Sequence, residues 1–115
     1  MKWAIYRHTC KANNLVYIGI TKQDPPDKRW MNGLGYKDNL GFYHDIERFG
    51  WEKGFKHEIL IDGILSEEEA KKIEGEIILS YLKNSEYRES VKKRNPFGLK
   101  IYNRNYDREK LLVRN

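Results

Sequence analysis

The sequence predicts a single α/β domain with a small central three-stranded sheet, mixed or antiparallel, flanked by helices. At 115 residues the chain has room for one core and too little for two. Two stretches near the N-terminus, Trp3 to Thr9 and Leu15 to Thr21, are rich in β-branched and aromatic residues. Further along, apolar residues recur at helical spacing on either side of a third strand-like run.

The first two stretches flank Lys11-Ala12-Asn13-Asn14, whose composition suits a turn, so they form a β-hairpin. Placing Tyr6 opposite Tyr17 sets Ile5 against Ile18, Trp3 against Ile20 and His8 against Leu15. One face of the hairpin then carries Trp3, Ile5, Val16, Ile18 and Ile20 as core. The other carries Tyr6, His8, Tyr17 and Gly19, with opposed side chains about 5 Å apart.

Asp24-Pro25-Pro26-Asp27 reads as a helix cap with proline in the first turn, so a short helix carries Lys28, Arg29 and Trp30 until Gly33 stops it. A second helix is expected from Leu40 to Phe49, where Phe42, Ile46 and Phe49 keep helical spacing and Gly50 is the stop. Phe55 to Ile61 is the third strand. Ser66-Glu67-Glu68-Glu69 has the form of a capping box and opens a longer helix to about Leu82. Lys92-Lys93-Arg94-Asn95-Pro96-Phe97-Gly98 is a loop signature ahead of the short segment Lys100-Ile101-Tyr102-Asn103. The expected organisation is a domain over 1–103, with a basic loop at 83–100 inside it, and a basic tail over 104–115.

Charge is distributed unevenly. Residues 1–82 carry 12 Lys/Arg against 13 Asp/Glu, net −1, whereas residues 83–115 carry 10 against 4, net +6. A basic segment joined to a near-neutral body is the pattern expected of a polyanion contact. No apolar run reaches the roughly 18 residues of a membrane span, and the first residues lack the h-region of a signal peptide, so a cytoplasmic protein is expected. Cys10 is the single cysteine, which excludes an intrachain disulfide and a Cys-rich zinc site. His8, His44 and His57 do not cluster at ligand spacing along the chain, and His44 and His57 read as exposed or core-edge residues.

One glutamate breaks the helical pattern. At about 100° per residue, Ala70, Ile73, Ile77 and Tyr81 fall within a stripe of about 80° that must pack on the sheet, and Glu74 falls on that side, between Tyr81 and Ile78. Glu76 lies on the opposite side, beside Lys72 and Ser80. A carboxylate on a buried face costs several kcal/mol unless a cation such as Arg29 or a divalent metal ion compensates it, or unless it reaches solvent at the stripe's edge.

Together these residues form a recognisable set: Ala4-Ile5-Tyr6, Tyr17-Ile18-Gly19, Arg29 in Pro26-Asp27-Lys28-Arg29-Trp30, Glu74 in the long helix, and Tyr102-Asn103. The chain resembles the GIY-YIG nuclease superfamily, in particular its small phage and intron-type endonucleases, over residues 3 to about 103. Ala4 stands where the first tripeptide usually has glycine. The resemblance implies a metal-dependent hydrolase of DNA phosphodiesters using one Mg²⁺ or Mn²⁺. It puts Glu74 in the metal-anchoring slot, Arg29 against the charge that develops on the scissile phosphate, and Asn103 at the family's asparagine. Tyr6 is then the candidate base for water, with Tyr17 orienting the water and His8 assisting. An unperturbed phenol titrates near 10, so a phenolate would need nearby positive charge from the metal, Arg29 or Arg7. Arg7, Lys92, Lys93, Arg94, Asn103 and Arg104 are the expected nucleic-acid contacts. RNA stays open as a partner, since no base-reading module is visible. A noncatalytic nucleic-acid-binding module of the same fold is the alternative, and the presence of Tyr6, Tyr17, Arg29 and Glu74 speaks against it.

Overall fold

The structure is a computed structural model that describes residues 2–82 and 101–103. Strand β1 (Trp3–Cys10) and strand β2 (Val16–Thr21) form the N-terminal hairpin. Two 3₁₀ segments follow, Pro26–Arg29 and Met31–Tyr36, then helix α1 (Leu40–Phe49), strand β3 (Phe55–Ile64) and helix α2 (Glu67–Leu82). The sheet order is β2-β1-β3 and both pairings are antiparallel. β1, the strand bearing Tyr6 and His8, is therefore central.

The hairpin register differs from the expected one by two residues. Tyr6 pairs with Gly19, His8 with Tyr17 and Ile5 with Ile20. The turn sets this register: Cys10 N–H donates to the Leu15 carbonyl, Asn14 takes a left-handed φ of 62°, and the Leu15 N–H donates to the Asn13 side chain. Cys10 and Leu15 thus close the loop, where the expected pairing would have left six residues unpaired beyond His8. A shift of two preserves the faces, because side chains alternate with period two. Gly19 also has a steric reason to face Tyr6, since a Cβ there would collide with the phenol ring and its hydroxyl.

Both faces of the sheet are covered. On one, Ile5, Val16, Ile18 and Ile64 pack with Ala70 and Ile78 of α2 and with Ile101. On the other, Tyr6 and Cys10 pack with Trp30, Tyr36, Phe42, Ile46, Trp51, Phe55 and Tyr102. The helix ends follow their capping residues. Asn39 accepts from the Phe42 N–H at the start of α1, Gly50 ends that helix at φ 87°, and Ser66 accepts from the Glu69 N–H ahead of α2. β3 runs three residues past the expected Ile61. The first 3₁₀ turn ends at Arg29, short of Trp30 and Gly33, and the second is broken by the left-handed Asn32 and Gly33. The basic loop 83–100 and the tail 104–115, with Lys92, Lys93, Arg94 and Arg104, lie outside the described residues. No helix among the described residues is long and apolar enough to cross a membrane.

Candidate active site

The aromatic face holds most of the expected site residues. Tyr6 is buried, 1% exposed, between Trp30 and Tyr17, with ring centroids 5.5 and 6.5 Å away. Tyr17 is half-buried on the edge strand and stacks on Phe42 at 4.9 Å. Arg29 closes the first 3₁₀ turn, where its Nη1 donates to the Gly35 carbonyl at 3.0 Å and its guanidinium lies 4.9 Å over the Tyr36 ring. That approach needs a glycine at 35, because a Cβ there would meet the Arg29 guanidinium and carbonyl.

Glu74 lies on the buried line of α2, between Ala70 and Ile78, and is only 7% exposed, while Glu76 is exposed. Its charge and that of Arg29 both bear on the Tyr6 and Tyr17 hydroxyls, with Arg29 favouring the phenolates and Glu74 opposing them. The four side chains therefore share one electrostatic environment, although they come from four separate elements.

Arg29 alone does not draw either tyrosine down toward neutral pH. Burial is the largest influence on both Tyr6 and Tyr17 and pushes both phenols above their ordinary value of 10, against the pull of Arg29. Arg7 adds nothing to that pull. It lies on the opposite face of the sheet, where Nη2 pairs with Glu58 at 2.8 Å and Nη1 donates to the Tyr81 hydroxyl at 3.1 Å.

His8 is fully buried on the aromatic face, and a continuous polar chain runs through it. The Tyr6 and Tyr36 hydroxyl oxygens are 3.0 Å apart, and Tyr36 Oη is 2.9 Å from His8 Nε2. His8 Nδ1 is 2.8 Å from His57 Nδ1, and His57 Nε2 is 2.9 Å from the Trp51 carbonyl. Burial holds both imidazoles below the usual histidine range, His8 to about 2, helped for His8 by the neighbouring His57 and Arg29. The two histidines do meet, then, contrary to the reading from their spacing. They are direct cross-strand partners, a pairing set by the β1–β3 register that a linear motif cannot contain. His44 stays exposed on α1. Tyr36 and His57 are the site neighbours that sequence reasoning missed. A tyrosine shortly after Arg29 and a polar residue at the third position of β3 were the local signals.

Asn103 sits 6% exposed at the outer edge of β2. Its Oδ1 accepts from the Ile18 N–H at 2.9 Å, and its Nδ2 donates to the Ile18 carbonyl at 2.7 Å. The neighbouring Tyr102 N–H donates to the Val16 carbonyl at 2.6 Å, and Ile101 makes a parallel bridge to Val16. The segment thus clasps the motif strand from outside, with both polar atoms of Asn103 engaged by backbone.

No curated protein and no solved structure matches the chain. A family model described as the GIY-YIG catalytic domain matches residues 2–88, about three quarters of the sequence, a span containing Tyr6, Tyr17, Arg29 and Glu74. With the two tripeptides on paired strands and the three-stranded antiparallel sheet between helices, that match establishes a nuclease fold with nucleic acid as its substrate class, and the chain belongs to the GIY-YIG nuclease superfamily.

Proposed function

We propose that the protein is a metal-dependent endonuclease that hydrolyses DNA phosphodiesters at the site formed by Tyr6, Tyr17, Arg29 and Glu74. The observation that carries this reading is the Glu74 carboxylate, 7% exposed on α2, within the span of the GIY-YIG match that also holds Tyr6, Tyr17 and Arg29.

The donor set fits a hard divalent ion. Among the described residues no group of three or more His, Cys, Asp and Glu could cage a metal, so the fit is to Mg²⁺ or Mn²⁺, which keeps several waters and needs few protein ligands. Glu74 would hold it, and the bound ion would supply Lewis-acid stabilisation of charge on the phosphate oxygens. Arg29 is held in place by the Gly35 carbonyl and the Tyr36 ring, and a guanidinium has five donors, so its other N–H groups can take a phosphate oxygen as charge develops. Tyr6 and Tyr17 act as neutral phenols, because burial disfavours ionisation. Their oxygens position the attacking water, and Trp30 and Phe42 exclude bulk solvent from behind them. The basic residues Lys92, Lys93, Arg94 and Arg104 are assigned to the nucleic-acid backbone, which suits the +6 excess of residues 83–115.

The test is to incubate purified protein with supercoiled plasmid, single-stranded DNA, branched DNA and RNA, each with Mg²⁺ or EDTA. Cleavage of DNA in Mg²⁺ and none in EDTA is expected, and cleavage of RNA alone would change the substrate assignment. Glu74→Gln should lower the rate by about 10²–10³ or more, on the scale of losing one preorganised charge-stabilising group, with binding largely kept. Glu76→Gln should be nearly silent. Wild-type cutting by Glu74→Gln, or equal loss from both variants, would remove Glu74 from the site.

A further inference from the structure

The chain Tyr6–Tyr36–His8–His57–Trp51 contains enough information to orient every hydrogen in it. A carbonyl only accepts, so His57 Nε2 carries a hydrogen and donates to Trp51. A neutral imidazole has one N–H, which leaves His57 Nδ1 as an acceptor. His8 Nδ1 must then donate to it, and His8 Nε2 is left bare. Tyr36 has a single hydrogen, and a bare His8 Nε2 takes it. The 3.0 Å contact by itself also suits Tyr36 donating to Tyr6, but with the Tyr36 hydrogen taken by His8 Nε2 only the hydrogen of Tyr6 is left for the bond between the two hydroxyls.

We propose that Tyr36, His8 and His57 are positioning residues that set the polarity of the Tyr6 hydroxyl, so that while His57 is neutral Tyr6 donates inward to Tyr36 and turns only lone pairs toward Tyr17, Arg29 and Glu74. Tyr6 is thereby an acceptor for a hydrogen of the attacking water without ionising. This role for Tyr6 rests on the nuclease reading, whereas the order of hydrogens along the chain does not.

Adding one proton to His57 reverses the whole series. Protonated His57 keeps Nε2–H on the Trp51 carbonyl and now donates from Nδ1 to His8 Nδ1. His8 carries its hydrogen on Nε2 and donates to Tyr36, Tyr36 donates to Tyr6, and Tyr6 must point its own hydrogen into the site. The acceptor has become a donor, with one proton gained overall. His57 is half-buried at the far end of the chain, so it is the member that a solvent proton reaches first. The groups that face it are His8 on β1, the Trp51 carbonyl, and the charges of Glu52, which favours protonation, and Lys11, which opposes it.

Long-range ¹H–¹⁵N correlation of the histidine side chains in the full chain reads the tautomers directly. At pH 7.5 the expected result is His57 as the Nε2–H form and His8 as the Nδ1–H form. On acidification His57 should become doubly protonated, and His8 should switch to the Nε2–H form in the same step. A neutral His57 beside an Nε2–H His8, or a His8 tautomer that ignores the protonation of His57, overturns the proposal whether or not the protein cleaves anything. The second arm is the profile of single-turnover cleavage rate against pH, from pH 8 down through the pH where the spectra place His57 protonation. In the wild type this profile should contain a step at that pH. His57→Asn puts a non-titrating acceptor oxygen where Nδ1 stood and should remove that step from the profile. An unchanged acid limb in His57→Asn would sink the polarity role. A normal tautomer pattern with no cleavage of any substrate would instead sink the nuclease reading alone.

Discussion

The two faces of the sheet are filled with different materials. Behind β1 on the α2 side lie aliphatic side chains, Ile5, Val16, Ile18, Ile64 and Ile78, with the polar groups Arg7 and Glu58 pushed to the rim. On the other side lie rings, and Tyr6, Tyr36, His8, His57 and Tyr102 carry polar tips that are bonded inside the packing. Aliphatic side chains contribute area without direction and can repack when one is changed. A ring with a hydrogen-bonding tip fixes both its plane and the vector of its tip, and a satisfied buried network admits one arrangement. The same strand thus obtains stability from both faces and geometry from only one.

Truncating one large side chain on each face is the strongest way to break this comparison. Phe42 is fully buried and stacks on Tyr17 and Tyr102 at 4.9 and 4.7 Å, so Phe42→Ala should cost about 3–5 kcal/mol. Ile64→Ala on the aliphatic face should cost about 2–5 kcal/mol. Urea unfolding would give both values, and cleavage measured where each variant is fully folded would separate the faces. Phe42→Ala should lose activity per folded molecule because Tyr17 loses its platform, while Ile64→Ala should keep it. Equal retention by both would mean that the rings are only a core.

The next effect is a difference in acid sensitivity. An unfolded histidine binds a proton below about 6.5, but folded His8 resists protonation down to about 2 and His57 is also lowered. Below about 6.5 the unfolded state therefore binds more protons than the folded one, and stability should fall as pH drops through that point toward 2. Denaturation midpoints at pH 7.5 and 5.5, above the main carboxylate range, should differ in the wild type. The gap should shrink in His8→Leu even though that variant is less stable at both pH values. A gap of the same size in His8→Leu would show that the acid sensitivity arises elsewhere than in the aromatic face.

The difference between the faces also decides what could be read in advance. Local signals were sufficient for α1, whose apolar spacing and Gly50 stop are both local, for the start of α2 at Ser66, and for the faces of the hairpin, which depend only on alternation. The position of Glu74 on a buried helix face was legible for the same reason, since helical periodicity is local. The hairpin register was not, because it depends on which residues close the turn, and Cys10 rather than His8 bonds to Leu15. Least legible was the histidine pair. His8 and His57 are 49 residues apart and meet only through β1–β3 pairing, which is irregular near Ile5. The burial of Tyr6, which pushes its phenol above the ordinary value, follows from the second layer of rings supplied by residues 30–55.

The smallest expected effect belongs to Arg7, and it probes whether the aliphatic face is as silent toward nucleic acid as its packing implies. The guanidinium donates to Glu58 from Nε at 3.1 Å and from Nη2 at 2.8 Å, with side-chain exposures of 29% and 25% for the two residues. A pair of this kind is worth about 0–1 kcal/mol. Arg7→Met keeps much of the apolar stem against α2, so its unfolding free energy should change by no more than about 1 kcal/mol. Each Lys or Arg that neutralises a phosphate adds nearly one unit to the slope of log affinity against log salt on duplex DNA. With its donors already directed to Glu58 and Tyr81 on the face away from Tyr6, Arg7 should contribute none of that slope. Binding isotherms for Arg7→Met over a series of salt concentrations should therefore run parallel to those of the wild type. A slope reduced by about one unit would place a phosphate on the α2 side of the sheet, and the nucleic acid would then have to wrap an outer strand, β2 or β3, instead of lying only across the aromatic face.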